Sequence, residues 1–203
     1  MKKRIFAIAV IMICLAVVGY GTLAFFTDEA VAHNVITTGS VDVEIHETTE
    51  QGLPFRDVSG VMPGKSVSKI VQVKNTGDAD AWVRVKVEVK TDPDGLPLTI
   101  QDKQGKTVNA FQMDFDLGSG EQQWVDGGDG YYYYNSPVDI DGITAALFEN
   151  VKFDPQMGNE YQNCKVMINI FAEAVQVANN PAPDGDVTAI KGWPTLEKGG
   201  TAK

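Results

Sequence analysis

The sequence predicts an all-β protein, an antiparallel β-sandwich of jelly-roll type with about eight strands, set behind an N-terminal signal peptide. Three observations lead there. Apolar residues alternate with polar ones over short runs in many places, which is the period of a half-buried strand. Turn residues such as Pro63-Gly64, Asn75-Thr-Gly77, Asp92-Pro-Asp-Gly95, Asp141-Gly142 and Asp154-Pro155 separate those runs at short intervals. No segment behind the signal peptide shows a sustained helical period, although Thr144–Asn150 can accommodate a short helical turn.

Taken in order, the chain begins with a basic head, Met1–Arg4, and an uncharged run from Ile5 to Phe26. The small-residue exit Thr22-Leu-Ala24 precedes Phe25-Phe-Thr-Asp28. A basic end, an apolar stretch and a small residue at the exit are what a secretory signal peptide needs. Cleavage is expected between Ala24 and Phe25, which makes 1–24 the signal peptide and the mature protein extracellular. The competing reading is an uncleaved anchor, since about 20 apolar residues span a bilayer. Gly19, Gly21 and Thr22 weigh against it by weakening the last turn. Lipoprotein processing is not expected, because the bulky Ile13 precedes Cys14.

Residues 25–178 are expected to form the sandwich. Val41, Val43 and Ile45 alternate with Asp42, Glu44 and His46. Ser66–Lys74 is a second run. Trp82–Lys90 is the cleanest, with Val83, Val85, Val87 and Val89 on one face and Arg84, Lys86, Glu88 and Lys90 on the other. Phe111, Met113, Phe115 and Leu117 alternate with Gln112, Asp114 and Asp116. Gln122–Val125 and Tyr131–Asn135 flank the turn Asp126-Gly-Gly-Asp-Gly130. Thr144–Val151 and Cys164–Val177 complete the set. Residues 91–130 read as a long excursion carrying a hairpin. Residues 179–203 read as a loosely ordered tail, with Val187, Ile190, Trp193 and Leu196 as its sizeable apolar groups. No Leu-Pro-x-Thr-Gly motif closes the chain, so covalent wall anchoring is not expected.

Charge narrows the function. Loss of Lys2, Lys3 and Arg4 takes 17 basic residues to 14 against 27 acidic ones, so the formal charge moves from −10 to −13. Such a surface repels nucleic acid and anionic membranes, and favours solubility. Membrane contact is expected only through the signal peptide before cleavage. The mature chain keeps one cysteine, Cys164, which excludes an internal disulfide. On a strand face with Val166, Ile168 and Ile170 it reads as a buried, inert thiol.

Catalytic equipment is scarce. A zinc peptidase helix needs two histidines one turn apart with a glutamate between them. This chain has only His33 and His46. His46-Glu47-Thr-Thr-Glu50 has the spacing, with Glu50 where the second histidine belongs, and it ends a β pattern. No catalytic, metal or cofactor residues are assigned. The acidic turns Asp92-Pro-Asp94, Asp126–Asp129, Asp139-Ile-Asp141 and Asp184-Gly-Asp186 lack the EF-hand spacing for calcium and read as turns. Tyr131–Tyr134 can be a carbohydrate platform or, on a strand, two core and two surface rings.

Three blocks resemble the TasA/camelysin family. They are Gly21-Thr-Leu-Ala-Phe-Phe-Thr-Asp28 with Asn34-Val-Ile-Thr-Thr-Gly-Ser-Val-Asp-Val-Glu-Ile45; Met62-Pro-Gly64 with Val71-Gln-Val-Lys-Asn-Thr-Gly77 and Ala81-Trp-Val-Arg-Val-Lys-Val87; and the weaker Ile170-Phe-Ala-Glu-Ala-Val-Gln176. The resemblance implies a Gram-positive secreted protein, matured by a signal peptidase of the SipW type. It further implies a subunit of biofilm matrix fibres, assembled by donor-strand exchange with copies of itself and accompanied by other matrix proteins. Residues 25–36 then form the assembly strand, through Phe25, Phe26, Val31, Val35 and Ile36. Such an apolar end can add to an open sheet edge. The alternatives are a camelysin-like surface metalloprotease and a monomeric surface adhesin.

Overall fold

The strand alternation is realised as two packed antiparallel sheets. The computed structural model describes residues 41–58, 60–92, 94–178 and 180–194. The first sheet has the order β1-β2-β9-β6, from Val43–Thr48, Ser66–Asn75, Phe148–Phe153 and Phe111–Met113. The second has the order β10-β3-β8-β7, from Lys165–Gln176, Ala81–Asp92, Tyr131–Tyr134 and Trp124–Asp126. A separate hairpin joins β4 (Thr99–Gln101) to β5 (Thr107–Asn109). The eight sandwich strands thus cross repeatedly between sheets, with β2 beside β9 and β3 between β8 and β10, in the jelly-roll manner.

Strict alternation makes β3 the central strand. Val83 and Val85 are buried against Val71, Val73 and Ala172, while Val87 and Val89 are half-buried. β10 runs antiparallel along the whole of β3, with Glu173 opposite Arg84 and Ile168 opposite Val89. Trp124, Leu147 and Phe148 fill the centre of the core with no exposed surface. The Trp124 indole N–H donates to the Ala145 carbonyl at 3.0 Å, so the ring's polar edge is satisfied inside.

Turn chemistry explains the Asn-Thr-Gly motif. Asn75 is wholly buried at the end of β2. Its side-chain amide donates to the Ala79 carbonyl at 2.8 Å and the Val138 carbonyl at 2.9 Å, and its oxygen accepts the Gly77 N–H at 3.0 Å. One side chain thereby satisfies three backbone groups of a buried turn.

Several local expectations change. Thr144–Leu147 forms no helical turn: it lies extended beside β2, where Thr144 N–H and Leu147 N–H donate to the Val73 and Val71 carbonyls. The alternation that begins at Phe111 ends early, and Leu117 is exposed. Cys164 precedes β10 and is half-buried, with its thiol 3.2 Å from the Lys165 carbonyl oxygen. Burial raises its pKa, so the thiol stays protonated, as an inert one does. Residues 183–193 are not a loose tail. Val187 and Ile190 are buried, because the outer face of β3, β8 and β10 offers them Trp82, Tyr133 and Val175.

Candidate assembly surface

A sheet edge presents unpaired backbone groups and is a template for another strand. Among the described residues, the two sheets end in β1, β6, β7 and β10. Three of these edges are short or covered. β6 has three residues. β7 is flanked by Leu117 and Gly118, where Gly118 N–H donates to the Trp124 carbonyl at 3.0 Å. The far end of β1 is covered by Pro54 and Phe55, where Phe55 N–H donates to the Glu47 carbonyl at 2.9 Å.

β10 differs. It is 12 residues long and, among the described residues, forms the outer strand of its sheet beside β3. β1 contacts β10 at this flank of the sandwich. Their inward side chains, Val43 and Ile45 on β1 and Ile168, Ile170 and Ala172 on β10, belong to the main core. Among the described residues, this flank sets a long outer strand beside a row of apolar side chains that the main core buries.

The inward row of β1 and β2 ends in a charged pair. Lys69 is buried, and its ammonium sits 2.7 Å from Glu47 and 4.0 Å from the centre of the Phe55 ring. Burial pulls the Lys69 pKa below its ordinary value, against the opposing pull of Glu47.

The outer face of the second sheet holds a cage. Arg84 on β3 lies 2.6 Å from Glu173 on β10, and Glu173 has no exposed surface. The Arg84 guanidinium is 3.9 Å from the Tyr131 ring centre and 4.7 Å from that of Trp193. Tyr131 OH donates to Glu173 at 3.2 Å. Tyr133 OH donates to Asp129 at 2.7 Å. Burial pushes the Asp129 carboxyl up, but that bond and the Tyr131 N–H together hold it below the usual range. Alternation along β8 sends Tyr132 and Tyr134 into the main core and Tyr131 and Tyr133 into this cage. Of the two outward rings, Tyr133 is buried and Tyr131 is half-buried with the Arg84 guanidinium stacked on it, so they do not present an open pair of faces for a sugar. Periodicity marks Arg84 as a solvent-facing charge; only the later Trp193 roofs it.

The expected assembly residues Phe25, Phe26, Val31, Val35 and Ile36, the cleavage pair Ala24 and Phe25, and His33 lie outside the described residues. The other metal candidates are placed. His46 and Glu47 sit on β1, a strand, and so point to opposite faces. The His46 Nε2 is 4.0 Å from Glu44, and Glu47 is held by Lys69. Among the described residues no three His, Cys, Asp or Glu side chains converge, so these donors do not fit a peptidase zinc. The acidic turns bind their own backbone: Asp126 accepts from Gly128 N–H at 2.8 Å, and Asp186 from Thr188 N–H at 2.9 Å.

No curated protein matches the chain. Among solved structures, the ASH/PapD-like domain 7 of human CEP192 aligns with 70% of this chain and 93% of that chain, at 12% identity and a TM-score of 0.30. A likeness of that degree carries no argument. The family described as camelysin metallo-endopeptidase matches residues 1–114, more than half of the 203 residues and including two of the three resembling blocks. This chain belongs to the camelysin family, which includes the TasA-like proteins.

Proposed function

We propose that this protein is a secreted structural subunit of extracellular matrix fibres, joined by donor-strand exchange. The observation that carries this reading is the flank where β10, a 12-residue outer strand, adjoins β1 over an apolar seam. A signal peptidase of the SipW type cuts between Ala24 and Phe25 after export. The new end, residues 25–36, then enters the flank of a neighbouring copy. Burying Phe25, Phe26, Val31, Val35 and Ile36 there supplies on the order of 8–12 kcal/mol before ordering costs. Because cleavage follows export, assembly is confined to the outside of the cell, where other matrix proteins can join the fibres.

The family's printed description favours a second reading, a metallo-endopeptidase. The scattering of the described donor residues speaks against it in this chain. The test is direct. Mature protein is assayed for bound zinc and for casein hydrolysis, beside His46→Ala. Stoichiometric zinc with chelator-sensitive hydrolysis, lost on that substitution, favours the protease. Fibres from mature protein, with hydrolysis absent and indifferent to His46→Ala, favour the structural subunit.

A further inference from the structure

The face of a two-layer sandwich that points away from the core is ordinarily wet. Glu173 lies on that face of β10, yet it has no exposed surface, and its partner Arg84 is only 11% exposed. Glu173 lies beneath Arg84 and Tyr131, and Arg84 in turn is roofed by the chain that follows β10. It turns at Asn180, whose side chain donates to the Gln176 carbonyl at 2.9 Å and whose carbonyl accepts the Trp82 indole N–H at 2.8 Å. It crosses the sheet through two short 3-10 turns, Pro183–Gly185 and Val187–Ala189. Val187 and Ile190 pack on Trp82, Tyr133 and Val175. The segment closes with Trp193 edge-on to Tyr133, their ring centres 5.7 Å apart, and over the Arg84 guanidinium.

These contacts span β10, β3 and β8. Glu173 and Val175 belong to β10, Trp82 and Arg84 to β3, Tyr131 and Tyr133 to β8. Among the described residues β10 has one strand neighbour, β3, and a brace across its outward face adds order beyond that pairing. We propose that residues 180–194 are a latch that keeps the C-terminal half of β10 ordered and so regulates strand addition at that strand. The inference rests on the assembly reading for its consequence, though not for the latch itself. A pre-ordered edge loses less freedom when a donor strand arrives, so a docked latch favours assembly and a released one opposes it. Arg84 is the keeper: its charge is balanced by Glu173 and its flat guanidinium receives the Trp193 ring.

The test compares mature wild-type protein with Trp193→Ala and with a chain ending at Asn180. Amide exchange is read separately on β10 and on β2, and fibre elongation is followed in parallel. The latch predicts exchange about tenfold faster at Glu173–Gln176 in both variants, with β2 unchanged, and slower elongation. Unchanged exchange at Glu173–Gln176 in Trp193→Ala overturns the latch. Faster exchange with undiminished elongation overturns its regulatory role. A truncated chain whose β2 exchange also rises has lost the whole fold, and Trp193→Ala then decides. Wild-type protein that forms no fibres refutes the assembly reading, and the exchange measurement alone then judges the latch.

Discussion

At the scale of single residues, the structure separates side chains that share a strand but not an environment. Val85 has no exposed surface and lies among core residues, whereas Lys86 pairs with Glu88 at 2.8 Å on the outward face. Val85→Asp buries a charge with no partner and is expected to cost about 3–5 kcal/mol. Lys86→Asp is expected to cost less than about 1 kcal/mol. Chemical denaturation of the two variants reads this, and equal losses would show that the strand is not oriented as described. Lys69 yields a prediction in pH. Its folded pKa is depressed by burial below the ordinary 10.5. Between the two values the unfolded chain binds more protons than the folded one, so stability contributed at this site rises with pH there. Glu47→Ala removes the nearest opposing charge and deepens the depression. The variant is therefore expected to lose stability near neutrality and to recover part of it as pH climbs toward 10.5, which urea denaturation across that range would follow. A deficit that stays constant with pH would assign the loss to packing instead.

At the scale of elements, the satellite core under the β4–β5 hairpin is anchored by a few contacts. Tyr161 is buried beside Phe111, with ring centres 6.0 Å apart, and its hydroxyl donates to the Pro97 carbonyl at 2.7 Å. Tyr161→Phe removes the bond while keeping the ring, and is expected to cost about 1 kcal/mol. Faster amide exchange in the hairpin, with β3 unaffected, would identify the bond as its tether. The strands were legible to the extent that one face was wet. β3 announced itself because four valines alternate with four charges, and Ser66–Lys74 was found despite the irregular pairing with β9 between Ser68 and Val71. Residues 180–194 were not legible. Val187, Ile190 and Trp193 follow no strand period, sit among Pro and Gly, and become a unit only when β3, β8 and β10 supply their receptor. For the same reason Arg84 read as solvent-facing. Of the candidate site, the strand that contains Ile170–Gln176 was recognised, but its place at the end of a sheet depends on pairings between residues far apart in sequence.

For the whole molecule, assembly sets charge repulsion against apolar burial. On the proposed reading, cleavage leaves a formal charge of −13 and an apolar first segment, and the sandwich offers that segment, among the described residues, the outer strand β10. Like-charge repulsion between copies opposes assembly and fades as salt screens it, while burial of Phe25, Phe26 and Ile36 does not depend on salt in that way. Fibre formation is therefore expected to quicken as ionic strength rises from about 10 to 150 mM, the range over which the Debye length falls from roughly 30 to 8 Å. Turbidity against salt would show it, and slowing over that range would mean that attraction between charges drives the contact. The most direct measurement is electron microscopy of mature protein beside a copy lacking residues 25–36, with sizing chromatography of both. Fibres are expected from the first and a folded, soluble monomer from the second. Fibres of normal appearance from the shortened chain would overturn donor-strand assembly through residues 25–36.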